Sequence, residues 1–414
     1  MNILYLFQAP INWEKIEGPH IHIWSIINEL RKLGNNVRFV NLQPHRKVIE
    51  YYDLGEKKGE LGAGFVNSNF CKFFESTIRR LQSTFSSPYF GFFDSIRIYK
   101  AIIVSRIDFD LIYERFSLMC YGGAILSKVT KKKLVLEVQA DVLAFETTLL
   151  HKKLKKFQLI ITKFFTKWVF DQADKIIVIS LEVKQQLEHA WNQDPEKISI
   201  VSCGVDANKF APKPSRFRQK MLWEDVPVIG FVGAFYPWHG VEVLVRAFSI
   251  VKSKEKTAKL LLIGSGLEFN QVVKLVQDLE LQSDVVLTGN IPHEKVPDYV
   301  NCMDIAVAPF IKMNTSLWFS PLKIFEYMAA GKAIVTADSG EISRIICHKR
   351  NGLLVEPGNI NQVADAILLL IDNPALRVTM GQQARKDALE KHTWESRASD
   401  LSLILSEVYS RKKV

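Results

Sequence analysis

The chain has 414 residues, carries a formal charge of +10 at pH 7, and is 48% hydrophobic. That length exceeds one ordinary core and that apolar content argues against wholesale disorder, so two or three domains with substantial interiors are expected. The excess of Lys and Arg points to an anionic partner, whether nucleic acid, lipid headgroup or phosphorylated small molecule. The five cysteines, Cys71, Cys120, Cys203, Cys302 and Cys347, form no C-x-x-C pair and no His cluster has zinc-ligand spacing, so a reducing compartment is expected and a metal site is not.

The opening "MNILYLFQAP" lacks a basic leader and a cleavage signal and reads as a first strand. No run approaches the roughly 18 apolar residues of a membrane-spanning helix. Short apolar runs then alternate with helical patterns: "IHIWSIINELRKLG", "NVRFVNL", "LIYERF", "KLVLEV", "KIIVIS". Such alternation predicts parallel sheets covered on both faces. Gly18 precedes the first helix, so His20 or His22 near its start would face the carboxyl end of the first strand. Two residues apart, they do not share a helical face, and a chelating pair is not expected. Residues 70–107 mix aromatic side chains with Arg and Lys. The helix expected over 151–170 groups Lys152, Lys156, Lys163 and Lys167 opposite Leu154, Phe157, Ile161, Phe164, Phe165 and Trp168. This pattern suits an anionic membrane interface and suits packing against its own domain equally.

Periodicity lapses over 201–215, "VSCGVDANKFAPKPS", and the alternation restarts with "VPVIGFVGAF". A helix from about Gly240 to Lys254 follows, then "KLLLIGSG", "DVVLTG", "DIAVAPF" and "KAIVTAD". The expected division is an N-terminal domain over 1–205, a second over 206–392, and a C-terminal helix over 393–414 packing back towards the first.

The segment "FSPLKIFEYMAAGKAIV", 319–335, contains an unusual helix. Ser320 suits the N-cap, Pro321 the first helical position and Gly331 a left-handed end. Lys323, however, falls in the first turn, where free N–H groups and the helix dipole already concentrate positive charge. The arrangement becomes favourable if phosphate binds there. Glu326, three residues on, would accept two hydroxyl hydrogen bonds from a ribose diol, completing a nucleotide clamp; a solvated i,i+3 pair is the plainer reading. In "GFVGAFYPWHGVEVL", 230–244, Gly233 and Gly240 permit close approach of a ligand and His239 would donate to phosphate. "DFD", 108–110, precedes a strand and reads as a solvated loop. "GSG", 264–266, has Phe269 where a third glycine would complete a dinucleotide fingerprint. No Walker or G-x-S-x-G motif occurs.

Together "FSPLKIFEYMAAGKAIVTADSGEI", "VIGFVGAFYPWHGVEVLVRAF", "ADKIIVISLEVKQQL", "KISIVSCGVDANKF", "VVLTGNIPHEKVPDYVNCMDIAVAPF" and Gly18-x-x-x-His22 resemble the retaining glycosyltransferases of family 4 over nearly the whole chain. The resemblance implies an α/β protein of GT-B architecture, two Rossmann-like doubly wound domains with parallel sheets facing a central cleft. It implies that Gly233, His239, Gly240, Trp318, Phe319, Ser320, Pro321, Leu322, Lys323 and Glu326 bind a nucleotide-sugar, with UDP- or GDP-sugar as co-substrate and no other cofactor or metal. Gly18, His22, Glu137 and Gln139 would receive the acceptor, and Lys323, Glu326 and His22 would carry the chemistry. The sequence departs from the family where Trp318 replaces the first of two motif glutamates, Ala234 an Arg, His239 a Lys and Cys203 an Asn.

The function so implied is transfer of a sugar, with retention, to a glycan or lipid-linked acceptor in cell-surface polysaccharide biosynthesis. The expected location is the cytoplasm, peripheral on the inner membrane face, with 70–107 and 151–170 meeting anionic lipid. A catalytically inactive nucleotide-sugar binder and a GT-B epimerase are the alternatives, and nucleic acid is not an expected partner for want of a recognition motif.

Overall fold

The computed structural model describes residues 1–8, 18–43, 48–53, 56–62, 69–84, 91–140, 156–312 and 321–411. The chain divides into two compact units: Met1–Ser202 with Arg397–Val414, and Cys203–Ser396.

The first unit is built on β1 (Asn2–Phe7), β2 (Asn36–Gln43), β3 (Val48–Asp53), β4 (Glu56–Glu60), β5 (Leu111–Arg115), β6 (Lys133–Val138), β7 (Lys175–Val178) and β8 (Ile198–Ile200). They form one sheet in the order β4-β3-β2-β1-β5-β6-β7-β8. The runs with apolar residues at successive positions, "NILYLF", "LIYER" and "KLVLEV", are buried on both faces, as central parallel strands require. The sheet is not wholly parallel: β2–β3 and β3–β4 pair antiparallel. "EKKGE" carries no strand signal, and its Lys and Glu residues suit an exposed sheet edge that must not recruit another chain. Between β4 and β5 lie α2 (Asn69–Thr84) and α3 (Phe92–Val104), after α1 (Gly18–Lys32).

Two of the arginines of 70–107, Arg79 and Arg97, are held by carboxylates of their own unit. Arg97, fully buried, donates to Asp94 at 2.7 Å and to Glu75, and Arg79 meets Glu75 at 2.6 Å and Asp94 at 3.3 Å. Their charge is spent on neighbouring carboxylates. "DFD" likewise has a structural role, since Asp110 accepts the Asn2 N–H at 2.8 Å where β1 begins.

The second unit carries an all-parallel sheet, β11-β10-β9-β12-β13-β14, from β9 (Val228–Val232), β10 (Lys259–Ile263), β11 (Val285–Leu287), β12 (Ile305–Ala308), β13 (Ala333–Ala337) and β14 (Leu353–Val355). Its core includes Phe231, Val245, Phe248, Leu262, Val307, Val335 and Ile367. "GSG" backs the loop after β9, with Phe235 N donating to Ser265 O at 3.0 Å and, just before it, Gly233 N to Ile263 O at 2.9 Å.

In each sheet the order reverses beside a central strand, between β1 and β5 in the first and between β9 and β12 in the second. The carboxyl ends at such reversals are where open α/β sheets bind ligands, because the flanking loops part to opposite faces.

Candidate functional site

The clamp residues gather at the reversal of the second sheet. The helix holding Lys323 and Glu326 runs Leu322–Ala329, one residue later than its sequence suggested. Pro321 is not its first helical residue but its N-cap, extended at φ −79° and ψ 105°, with its carbonyl accepting from Ile324 N at 3.0 Å. Gly331, at φ +64°, ends the turn as expected. Trp318, Phe319 and Ser320 lie outside the described residues.

Lys323 and Glu326 are no solvated surface pair, since each is only 9% exposed. The Lys323 ammonium rests 4.1 Å from the centre of the Phe231 ring, on β9, and 5.3 Å from that of Phe310, just past the end of β12. Nζ has no hydrogen-bond partner among the described residues. Ring faces attract a cation but do not replace its hydration. Burial accordingly pulls its pKa from 10.5 down to about 7, with the Glu326 charge opposing. Gly233, at φ +140°, admits the ammonium against the backbone: a Cβ there would stand 2.7 Å from Nζ.

Gly240, at φ +68°, is the cap of the helix Val241–Lys254 and lies against the Pro309 carbonyl, which a side chain would strike. His239 donates from Nδ1 to the Ala234 carbonyl oxygen. Burial, then the Lys323 charge, lower its pKa to about 3. The ring is therefore neutral with its proton committed to its own loop, and donation to phosphate from the other nitrogen would require an imidazolium.

Two residues that the sequence reading did not single out complete this cluster. His293 Nε2 lies 3.4 Å from Glu326 Oε1, and Lys209 Nζ lies 2.7 Å from His293 Nδ1. His293 follows the turn "GNIP" after β11 and Lys209 sits in "VDANKF", so nothing in local spacing links them to Glu326.

A second cluster occupies the carboxyl ends of β1, β5 and β6 in the first unit. Gly18 is the first residue of α1, and His22, one turn in, is buried. Its Nδ1 lies 3.0 Å from the Arg115 guanidinium and 3.3 Å from Glu137 Oε1. Gln139 Nε2 is 3.3 Å from His22 Nε2 and donates to Glu137. Tyr5 donates to Glu137 Oε2 at 2.9 Å. Burial lowers the His22 pKa to about 4, so the imidazole is neutral and accepts from Arg115. Burial works against the Glu137 carboxylate, but His22, Arg115 and the hydroxyls of Tyr5 and Tyr113 together hold it below its ordinary range. Thus the structure brings His22, Glu137 and Gln139 together and adds Arg115 and Tyr5. The one advance sign of Arg115 was a charge ending an apolar strand.

A family model described as Glycosyltransferase Family 4 matches residues 16–209, and one described as Glycosyl transferases group 1 matches residues 213–387. An uncharacterised glycosyltransferase of Methanocaldococcus jannaschii is 25% identical over 311 residues, 73% of this chain and 76% of its own length. A GDP-mannose-dependent alpha-(1-6)-phosphatidylinositol monomannoside mannosyltransferase of Mycolicibacterium smegmatis is 26% identical over 57% of this chain, an alignment spanning less than two thirds (63%) of that relative. The crystal structure of Anabaena HepE in complex with UDP superposes over 98% of this chain and all (100%) of that one, with a TM-score of 0.69 and 18% identity. Two Rossmann-like units of this kind define a GT-B glycosyltransferase. The chain belongs to family 4 of these enzymes.

Proposed function

We propose that the protein moves a sugar, with retained configuration, from a UDP- or GDP-sugar to a glycan or lipid-linked acceptor in cell-surface polysaccharide biosynthesis. The observation that carries this reading is the buried Lys323 ammonium, without a hydrogen-bond partner among the described residues, beside Gly233 at the reversal of the second sheet, with the Glu326 carboxylate one turn away. A diphosphate would give that ammonium an anion, with the geometry to meet helix N–H groups as well. In the reaction, negative charge grows on the departing diphosphate, and a preorganised cation in a low-dielectric pocket stabilises it without a metal. The mannosyltransferase relative is GDP-mannose-dependent by name and HepE was solved with UDP, which supports the two donor classes named.

A thermal-shift screen against UDP-, GDP-, ADP- and TDP-sugars tests the reading. One nucleotide should raise Tm, with stabilisation of about 2.7 kcal/mol at a hundredfold excess over Kd. The shift should vanish in Glu326→Ala. No shift with any donor overturns the reading; binding without transfer or hydrolysis, in the presence of EDTA and of added magnesium, favours an inactive binder.

The membrane part of the proposal rests on the helix Lys156–Gln172. Its buried positions include Thr162 and Thr166, while Phe157, Ile160 and Phe164 are 72%, 65% and 67% exposed. Trp168 and Phe165 pack on Tyr121, so the described residues cover part of the apolar face. Lys163 flanks the exposed stripe, a combination suited to an anionic interface. Among the described residues no helix is long and apolar enough to cross a membrane. The protein should sediment with vesicles containing anionic lipid at low salt, and the double change Phe157→Ser and Phe164→Ser should weaken this about tenfold or more. Equal sedimentation of both proteins removes this surface from the proposal.

A further inference from the structure

Lys209, His293 and Glu326 form a line in which each member restricts the next. A lysine ammonium has only donors. Its 2.7 Å contact with His293 Nδ1 therefore makes that nitrogen an acceptor, without a proton. In the neutral imidazole the proton must then sit on Nε2, which points at Glu326 Oε1 at 3.4 Å. The ring itself is held by its tilted contact with Phe210, centroids 5.9 Å apart, and the histidine and glutamate side chains are 15% and 12% exposed. One oxygen of Glu326 is so engaged by a fixed donor, leaving the other to accept from outside.

We infer that His293 is a positioning residue for the Glu326 carboxylate, with Lys209 setting its tautomer, and that the pair tunes the site for the vicinal diol of a nucleoside diphosphate. The inference rests on the nucleotide reading above and gives roles to two residues, one in "VDANKF" and one in "GNIPHEK", that the sequence reading left unassigned. A carboxylate free to rotate pays entropy when it engages two hydroxyls, and one already hydrogen-bonded pays less. The contribution is specific to ligands that bear the diol. Ligands without it gain nothing from an oriented Glu326.

Two measurements on the full-length protein test this, and the first needs no ligand. Nitrogen-15 spectra of the His293 ring should show protonation at Nε2 and not Nδ1 in the wild type, with the Nδ1–H form growing in Lys209→Met. A ring protonated at Nδ1 in the wild type overturns the inference. The second is calorimetric titration with UDP and GDP and with their 2′,3′-dideoxy counterparts. His293→Ala should raise Kd for the better ribonucleotide about tenfold and leave that of its dideoxy form unchanged. His293→Gln, which keeps one acceptor and one donor, should recover most of the loss. An equal loss for ribo and dideoxy forms means that His293 merely supports the fold, which overturns the positioning role. A wild type with the Nε2 tautomer that binds neither nucleotide overturns the nucleotide reading and the diol assignment with it.

Discussion

Lys323→Met is expected to stabilise the ligand-free protein while removing its affinity for nucleoside diphosphates. The buried ammonium gains two ring contacts but no hydrogen-bond acceptor among the described residues, and its pKa falls to about 7. The unfolded chain keeps an ordinary lysine titrating near 10.5. From pH 7 to that value the unfolded state holds a proton that the folded state has released, so stability rises with pH across this window. Below pH 7 the folded state must carry the buried charge and the penalty is complete. Between pH 7 and 9 this one group should add about 2–3 kcal/mol. Lys332, half-buried and lowered to about 8 by desolvation, acts in the same direction, so the difference between wild type and Lys323→Met isolates Lys323. Denaturant unfolding at the two pH values should show a smaller rise in the variant; parallel slopes would contradict the assignment. The same linkage governs binding. An anion on Lys323 raises its pKa, so donor binding near pH 8 should take up a proton, visible as a dependence of calorimetric enthalpy on the buffer.

Glu137→Ala is expected to cost about 3–5 kcal/mol, the range for removing one partner of a buried ion pair. The carboxylate receives Tyr5, Arg115 and Gln139 and faces His22. Its loss leaves the Arg115 guanidinium, 8% exposed, without its countercharge. Glu137→Gln should cost less, since an amide still accepts a hydrogen bond. Because the folded pKa of Glu137 lies below the ordinary carboxylate value, its contribution is present above about pH 4.5 and disappears as pH falls through the folded value. Urea unfolding at pH 7 and pH 3 checks both signs: the gap between wild type and Glu137→Ala should narrow in acid. A gap under about 1 kcal/mol at pH 7 would show that the cluster relaxes around the loss.

The parts of the site legible in the sequence were those whose chemistry is local. Lys323 and Glu326 share one short helix, Gly233 follows a strand and Gly240 opens a helix, and periodicity alone locates both elements. The cross-strand parts were not legible. Arg115 is meaningful because β5 and β6 align it directly with Glu137, and Tyr5 because β1 sets it beside Tyr113. Register between strands is a property of the assembled sheet and leaves no trace in either strand alone. His293 lies 33 residues from Glu326, in the loop after β11, and reaches it only once the second unit is folded. The edge strand β4 was missed for another reason: edge strands are written with charged residues that resemble loops.

The first unit is discontinuous in the chain, because Arg397–Val414 rejoin Met1–Ser202 after the whole of Cys203–Ser396 has intervened. Leu401, Leu405 and Val408 are buried, and Asn35 donates to Ser402 across the gap in sequence. During synthesis at 5–20 residues per second, the wait for that helix is about 10–40 s. The second unit has all its parts in hand and can close first. The order of completion on the ribosome is thus the reverse of the order of the chain, and an unfinished apolar seam awaits its last helix while the neighbouring unit is already made.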